Sequence, residues 1–379
     1  ERENHISSDS WPIYISLQKD GILFKMRRTQ DLPDKESATM FFQDCKLSHQ
    51  AQITGISHSV KEILPPDLLD LTQLQKEANI RYGYTASEVY DIAQSLYEKK
   101  LISYPRTSSR YLTEDVFDSL SPIMAHLLSW ELFPAAKGTG GIDISSLSRH
   151  VINAEKANVH HAIIITGIRP GNMSEKEMQV YRLVAGRMLE VFMAPCRIET
   201  TNVEAVCAAQ HFKAEQTRII EAGWHDVFMH SDMIPASGYS VKELPEVEKG
   251  DTLNVCGCNL IHKKQLPVNP FTDAELVEYM ELNGLGTVSS RTNIIRTLVN
   301  RKYIRYSGKY IVPTPKGMLT YETIRGKKIA DTSLTADWEK QLAGLESGMI
   351  TGQDFLNRIR NLAKEMTDDI FNTYSTKEE

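Results

Sequence analysis

The hydrophobic period of the chain switches repeatedly between two and about 3.6 residues, and that succession limits the fold more than any single residue does. Residues 11–30 alternate apolar and polar, with Ile13, Ile15 and Leu17 on one side of Lys19-Asp20-Gly21 and Ile22 and Phe24 on the other. Alternation of period two around such a turn predicts a β-hairpin. Residues 38–60 read as a short helix followed by a strand, and Pro65-Pro66 interrupts the chain. From about Leu71 to residue 194 the period is helical. Residues 198–262 turn strand-like again through Val203, Ala205 and Cys207, then Phe212-Lys-Ala-Glu and Arg218-Ile-Ile. Turns are expected at Gly223-Trp224 and along Lys249-Gly-Asp-Thr-Leu-Asn-Val255, and from Pro267 the helical period returns. Separate runs of strands and helices point to an α+β chain of several domains, and 379 residues accommodate about two to four.

Two helix starts are written out locally. Thr85-Ala-Ser-Glu88 and Thr272-Asp-Ala-Glu275 both match a capping box, in which the Thr and Glu side chains satisfy each other's backbone amides. The helix after Thr85 carries Val89, Ile92, Ala93, Leu96 and Tyr97, a stripe that predicts a core face. The helix after Thr272 ends at Asn283-Gly284. Leu285-Gly286-Thr287 makes a tight link, and Ser289 or Ser290 is expected to cap the next helix. That helix shows Ile294, Ile295 and Leu298 on one side and leaves Arg291, Arg296 and Thr297 off the stripe. Tyr303-Ile-Arg-Tyr and Tyr310-Ile-Val flank Ser307-Gly308-Lys309 as a hairpin. Helix, turn, helix and hairpin are the outline of a winged-helix unit. Residues 335–374 read as two or three amphipathic helices with Trp338, Leu342 and Leu345 on one face, and the polar end from Ser375 as frayed.

Composition excludes several classes. A net charge of −6 gives no global basic signature for a nucleic-acid binder; basic residues are local, as in Arg27-Arg28, Lys99-Lys100 and Arg301-Lys302. The five Cys form no zinc pattern, since Cys256-Gly-Cys258 has no second pair, so no metal site is expected. A sparse, odd number of thiols suits a reducing cytoplasm. No apolar run approaches the ~18 residues of a membrane span, and the opening Glu-Arg-Glu-Asn-His is neither a signal peptide nor an initiator Met, which suggests a fragment.

Residues 101–112 read Leu-Ile-Ser-Tyr-Pro-Arg-Thr-Ser-Ser-Arg-Tyr-Leu. A tyrosine is a weak nucleophile because its phenol pKa is about 10, and a neighbouring cation favours the phenolate and can hold a phosphate under attack. Taken alone, Tyr-x-Arg is a strand end with an amphipathic ring and solvated cations. The whole stretch, however, resembles the active-site motif of type IA DNA topoisomerases, I-T-Y-P-R-T-D-S-R-Y-L, with Ser103 at the Thr position and Ser108 at the Asp position. His160-His161-Ala-Ile-Ile-Ile-Thr166-Gly resembles the family's H-H-A-I-I-P-T-G. Gly284-Leu-Gly-Thr-Val-Ser-Ser-Arg291-Thr-Asn293-Ile-Ile-Arg-Thr297 resembles G-I-G-T-P-A-T-R-A-x-I-I-x-T-L of the topoisomerase III branch. Leu71 to Asn79, Ile220 to Trp224 and Thr335 to Glu339 resemble further elements in the same order.

The resemblance implies a β-rich arch formed by 1–64 and 195–264, an inserted helical domain at 65–194 carrying Tyr104, and a helical, winged-helix-like domain at 265–379. It implies Tyr104 as nucleophile, Arg106 on the scissile phosphate and His160 as an assisting donor. It also implies Arg110, Arg291, Asn293 and Thr297 as DNA contacts. The family's Toprim domain, which supplies Mg²⁺ through a Glu and a D-x-D set, has no counterpart here. Mg²⁺ is therefore expected only with that domain as partner, and no cofactor in these residues. The expected substrate is single-stranded or negatively supercoiled DNA in the cytoplasm and nucleoid, with no membrane. Two rivals remain: a non-enzymatic winged-helix DNA-binding protein, and a tyrosine recombinase, for which Tyr374 lacks the surrounding Arg and His.

Overall fold

In the computed structural model, residues 9–130, 132–133, 147–157, 160–228, 244–265 and 267–375 are described. The polar end beyond residue 375 lies outside them. The chain divides into two compact units. One comprises Glu1–Pro66, Phe133–Ile142 and Leu189–Asn269; the other comprises Asp67–Leu132, Asp143–Met188 and Pro270–Glu379.

The first unit is built on β1 (Asp9–Ser10), β2 (Ile13–Lys19), β3 (Ile22–Arg28), α1 (Lys35–Leu47), β4 (Gln50–Ile63), β5 (Cys196–Cys207), β6 (Gln210–Glu221), β7 (Thr252–Leu260) and β8 (Lys263–Lys264). The predicted hairpin is present: Lys19 pairs with Ile22 across Asp20 and Gly21, both left-handed. The β-rich region expected as an arch is a closed barrel in the order β2-β3-β6-β5-β4-β7. Closure follows because β2 pairs with both β3 and β7, and β4 with both β5 and β7, so no strand keeps a free edge in the barrel. Ile13, Ile15, Leu17, Phe24, Met26, Ile53, Ala205 and Phe212 fill the interior, with Cys45 of α1 packed against them. Each fully buried Ile or Leu stabilises by about 1.5–3 kcal/mol. Strands β4 and β5 stay paired as far as Ile63↔Cys196, and β5 and β6 as far as Arg197↔Glu221, so a three-stranded ribbon continues past the β3–β6 contact at Arg27 and Arg28. Its foot is fixed at Gly223, where a Cβ would lie 2.4 Å from the carbonyl oxygens of Ala194 and Pro195. Trp224 beside it donates from Nε1 to the Ile63 carbonyl at 3.0 Å.

The second unit contains α2 (Leu71–Tyr82), α3 (Ala86–Glu98), α4 (Glu114–Asp118), α5 (Leu120–Ser129), α6 (Ala154–Ala157), α7 (Glu175–Glu190), α8 (Asp273–Leu282), α9 (Val288–Asn300), the hairpin β9 (Ile304–Ser307) and β10 (Tyr310–Pro313), then α10 (Pro315–Ile324), α11 (Thr332–Glu346) and α12 (Gly352–Ser375). Both predicted capping boxes form, at Thr85/Glu88 and Thr272/Glu275. The cap of α9 differs from expectation. Thr287, not Ser289 or Ser290, precedes the helix, and its amide donates to Ser290 Oγ at 2.8 Å. The cause is Gly286, left-handed at φ 71°, where a Cβ would meet Ser290 Oγ at 2.8 Å and Ile294 Cδ1 at 3.0 Å. The helix therefore starts two or three residues earlier than the serines suggest. Val277, Met280, Ile295 and Ile311 form a small core with Ala86 of α3, which ties the α8–α9–hairpin segment to the helix leading into residues 101–112.

Candidate active site

Helix α3 delivers the chain to the tyrosine segment and then holds it. Val89, Ala93 and Leu96 of the predicted stripe are buried, with Ala86 beside them, and Ile92 is half-buried. The helix ends with Lys100 left-handed at φ 60°, and the Leu101 amide returns to the Leu96 carbonyl at 2.9 Å. The stripe places Tyr97 in the core, but its ring is 39% exposed and lies edge-on to Tyr104, with centroids 5.4 Å apart. Tyr97 sits on the margin of the stripe, where the chain after the helix doubles back over it.

The histidine segment laces the tyrosine segment from both ends. Ile102 bridges Ile165, Ser103 N donates to the Ile164 carbonyl at 2.8 Å, and Ser103 Oγ accepts from Ile164 N at 2.9 Å while donating to the Ala162 carbonyl at 3.1 Å. Further on, Thr107 Oγ1 donates to the His160 carbonyl at 3.0 Å and Ala162 N to the Tyr111 carbonyl at 2.9 Å. Ser103 supplies the hydroxyl that the family motif draws from Thr. The result brings the His160 ring to 4.4 Å from the Tyr104 ring, centroid to centroid. His160 is exposed and Tyr104 half-buried, so the phenol is held on packed neighbours and remains open to a ligand.

Arg106 lies over the same face of α3. Its Cζ stands 5.1 Å from the centre of the Tyr90 ring, and Nη2 donates to Gln94 Oε1 at 3.2 Å. Its Nε is buried and donates to nothing among the described residues. The Tyr104 and His160 rings are thus in contact, and Arg106 packs on the helix that also supports Tyr104 through Tyr97.

The other four candidates are placed differently. Arg110 Nε donates to Asp70 Oδ2 at 2.6 Å, and Asp70, 1% exposed, also caps α2 by accepting from Gln73 N at 2.7 Å. Burial opposes the charge on Arg110, but the Asp70 carboxylate outweighs it and raises the guanidinium pKa above its usual value. Arg291, expected off the apolar stripe, is 8% exposed. It reaches Thr72 Oγ1 at 3.4 Å and Glu281 Oε1 at 3.5 Å, and its Nε has no partner among the described residues. It turns inward because α9 packs near α2 and α8 through Thr292, whose Oγ1 accepts from Gln75 at 2.9 Å. Burial raises the Glu281 pKa, Asp70 raises it further, and Arg291 and Arg110 pull it back. Asn293 and Thr297 are exposed on α9, with Thr297 Oγ1 bonded to the Asn293 carbonyl at 2.7 Å. Arg296 is engaged by Ser87 and by both oxygens of Asp91. Among the described residues no group of three or more His, Cys, Asp or Glu side chains is placed to hold a metal ion. No helix described is long and apolar enough to cross a membrane.

The sequence matches the family described as "DNA topoisomerase" over residues 1–357. The chain belongs to the type IA DNA topoisomerases. It is 31% identical to DNA topoisomerase 3 of Bacillus licheniformis over 344 residues, covering 84% of this chain and 47% of that protein. DNA topoisomerase 3 of Shouchella clausii is 30% identical over 389 residues, covering 94% and 52%, and that of Bacillus subtilis 30% over 352 residues, covering 86% and 48%. The chain therefore spans about half the length of these type IA relatives. The fold is similar to full-length topoisomerase I from Thermotoga maritima, with a TM-score of 0.73, 20% identity, and coverage of 96% of this chain and 60% of that one.

Tyr90, Gln94, Asp70 and Glu281 escaped the sequence reading. Tyr90, Gln94 and Tyr97 are spaced four and three apart on α3, a helical face visible in the sequence once α3 is assigned. Asp70 is marked locally only as the cap of α2; its pairing with Arg110, and that of Glu281 with Arg291, depend on how the helices pack.

Proposed function

We propose that this chain is the strand-cleaving part of a type IA DNA topoisomerase and that Tyr104 is its nucleophile. The observation that carries the reading is the contact of the Tyr104 ring with His160, with Tyr104 and Arg106 each packed on side chains of one face of α3. In the proposed reaction Tyr104 Oη gives up its proton to solvent water and attacks a phosphorus of one DNA strand. A phosphotyrosine ester to the 5′ end forms, and the bond to the 3′ oxygen breaks. That oxygen leaves as a 3′-OH, taking a proton from His160. Arg106 has donors left for the charge that builds on the phosphate oxygens. Strand passage follows, and the 3′-OH reverses the ester. The phosphotyrosine conserves the bond energy, so no ATP is needed.

Single-stranded or negatively supercoiled DNA is the proposed substrate. The α8–α9–hairpin segment acts as a winged-helix-like DNA contact through the exposed Asn293 and Thr297, while Arg110 and Arg291 are turned to Asp70 and Glu281. The proposed division is an arch (1–64 with 195–264), a helical domain (65–194) and a DNA-contacting domain (265–379), working in the cytoplasm and nucleoid. A Toprim domain of the same family is the proposed partner and the holder of Mg²⁺; no step above runs through the metal.

The test mixes the chain with a separately produced Toprim domain, Mg²⁺ and a single-stranded oligonucleotide, and traps adducts with denaturant. A covalent protein–DNA band is expected, and Tyr104→Phe abolishes it. A pure binding module gives no band. An undiminished band from Tyr104→Phe overturns the assignment of the nucleophile.

A further inference from the structure

Arg106 meets its surroundings through neutral groups only: the Tyr90 ring face at 5.1 Å and the Gln94 amide oxygen at 3.2 Å. Among the described residues no carboxylate pairs with it, and its buried Nε is unpartnered. The contrast with Arg110, Arg187 and Arg296 in the same unit is chemical, because each of those spends its charge on Asp70, Glu77 or Asp91. The residue two beyond Arg106 is the exposed Ser108, so no acid from its own loop neutralises it either. Three residues of α3 line this arrangement. Tyr90 and Gln94 hold Arg106, and Tyr97 supports the Tyr104 ring.

We infer that Tyr90 and Gln94 are positioning residues that fix Arg106 without neutralising it, leaving its charge for a phosphodiester at Tyr104. This deepens the proposed function and rests on it. A ring face and an amide oxygen orient a guanidinium at little cost to its field, whereas a carboxylate cancels that field at the point where it is needed. Gln94→Glu therefore keeps an acceptor in place yet spends the charge, and Gln94→Ala keeps the charge yet frees the side chain to move. The two variants separate charge from geometry.

The experiment measures adduct formation at saturating single-stranded oligonucleotide, with a Toprim domain and Mg²⁺, alongside oligonucleotide affinity. Gln94→Ala is expected to lower the saturating rate about tenfold, within the range that misplacement of a reacting group produces, with less than about a twofold change in affinity. Gln94→Glu is expected to lower it about 10²-fold, approaching the loss of the cation. Tyr90→Leu follows Gln94→Ala, and Tyr90→Phe, which restores the ring, recovers most of the loss. In an Arg106→Ala background Gln94→Ala changes the rate less than about twofold, because there is nothing left to position. A merely structural Gln94 costs the same in both backgrounds, and that result overturns the inference.

A second readout needs no chemistry. Inorganic phosphate is titrated against chain carrying ¹⁵N-arginine, following the Arg106 Nε resonance. It should shift in the wild type and lose that shift in Gln94→Glu; no shift in the wild type, or an equal shift in both, also overturns the inference. If no adduct forms but the phosphate titration behaves as stated, the functional reading falls and the positioning stands. If adducts form and the Gln94 variants match the wild type, the reading stands and the positioning falls.

Discussion

Arg110→Ala should destabilise the second unit by about 2–4 kcal/mol. The substitution strands Asp70, a carboxylate only 1% exposed, without its cation. Breaking a fully buried pair costs about 3–5 kcal/mol. Two features reduce that figure here: Gln73 N still donates to Asp70 Oδ1 at 2.7 Å, and the start of α2 favours a negative charge. Asp70→Asn is milder, about 1–2 kcal/mol, because the amide oxygen can still cap α2 and the Arg110 side chain is 34% exposed and can reach water. The double variant should cost at least about 1 kcal/mol less than the sum, since removing both charges leaves neither stranded. Urea denaturation of the four proteins at pH 7, read from the midpoint and slope, gives the cycle. A value for Arg110→Ala within about 0.5 kcal/mol of wild type, or strict additivity, refutes the view that this pair anchors the loop carrying Tyr104.

Three other outcomes follow from the same geometry. Ala208 and Ala209 both sit left-handed, at φ 49° and 58°, in the two-residue turn joining β5 and β6; Ala209→Gly should stabilise the barrel unit by about 1 kcal/mol, and a lowered urea midpoint contradicts this. Burial raises the Asp273 pKa above 3.8, so its stabilising contribution is complete below 3.8 and is lost as pH rises through the folded value. Asp273→Asn should therefore gain on the wild type between pH 4 and pH 8, and a pH-independent difference contradicts the burial argument. Log affinity for single-stranded DNA should fall with log salt by about 0.7 per phosphate contact, and Arg291→Ala, which removes an inward-facing cation, should leave the slope unchanged. A slope flattened by about one contact contradicts the inward placement of Arg291 against Glu281.

Much of this was legible in the sequence, because local chemistry wrote it there. The capping boxes at Thr85 and Thr272 and the turn at Asp20-Gly21 each specify their own backbone, and each formed. The alternation in β5 put Val203, Ala205 and Cys207 inside, as read. Barrel closure was not legible, since it depends on β2 and β4 each meeting β7 some 200 residues later in the chain. The motifs named Tyr104, Arg106 and His160, but not what holds them. Tyr97 looked like core because helical periodicity does not distinguish a residue packed under the core from one covered by a returning loop. Arg291 looked like a surface residue because a long cation off an apolar stripe is usually solvated, whereas Glu281 and Thr72 make an inward pocket for it.

The most direct test of the central claim is the chemistry of the adduct itself. Oligonucleotides labelled at one end or the other are reacted with the chain and a Toprim domain, digested with trypsin, and the DNA-bearing peptide is sequenced by mass spectrometry. The account predicts a single modified residue, Tyr104, esterified to a 5′ phosphate, with a free 3′-OH on the other fragment. A 3′-phosphotyrosine, or an adduct on any other tyrosine, contradicts it.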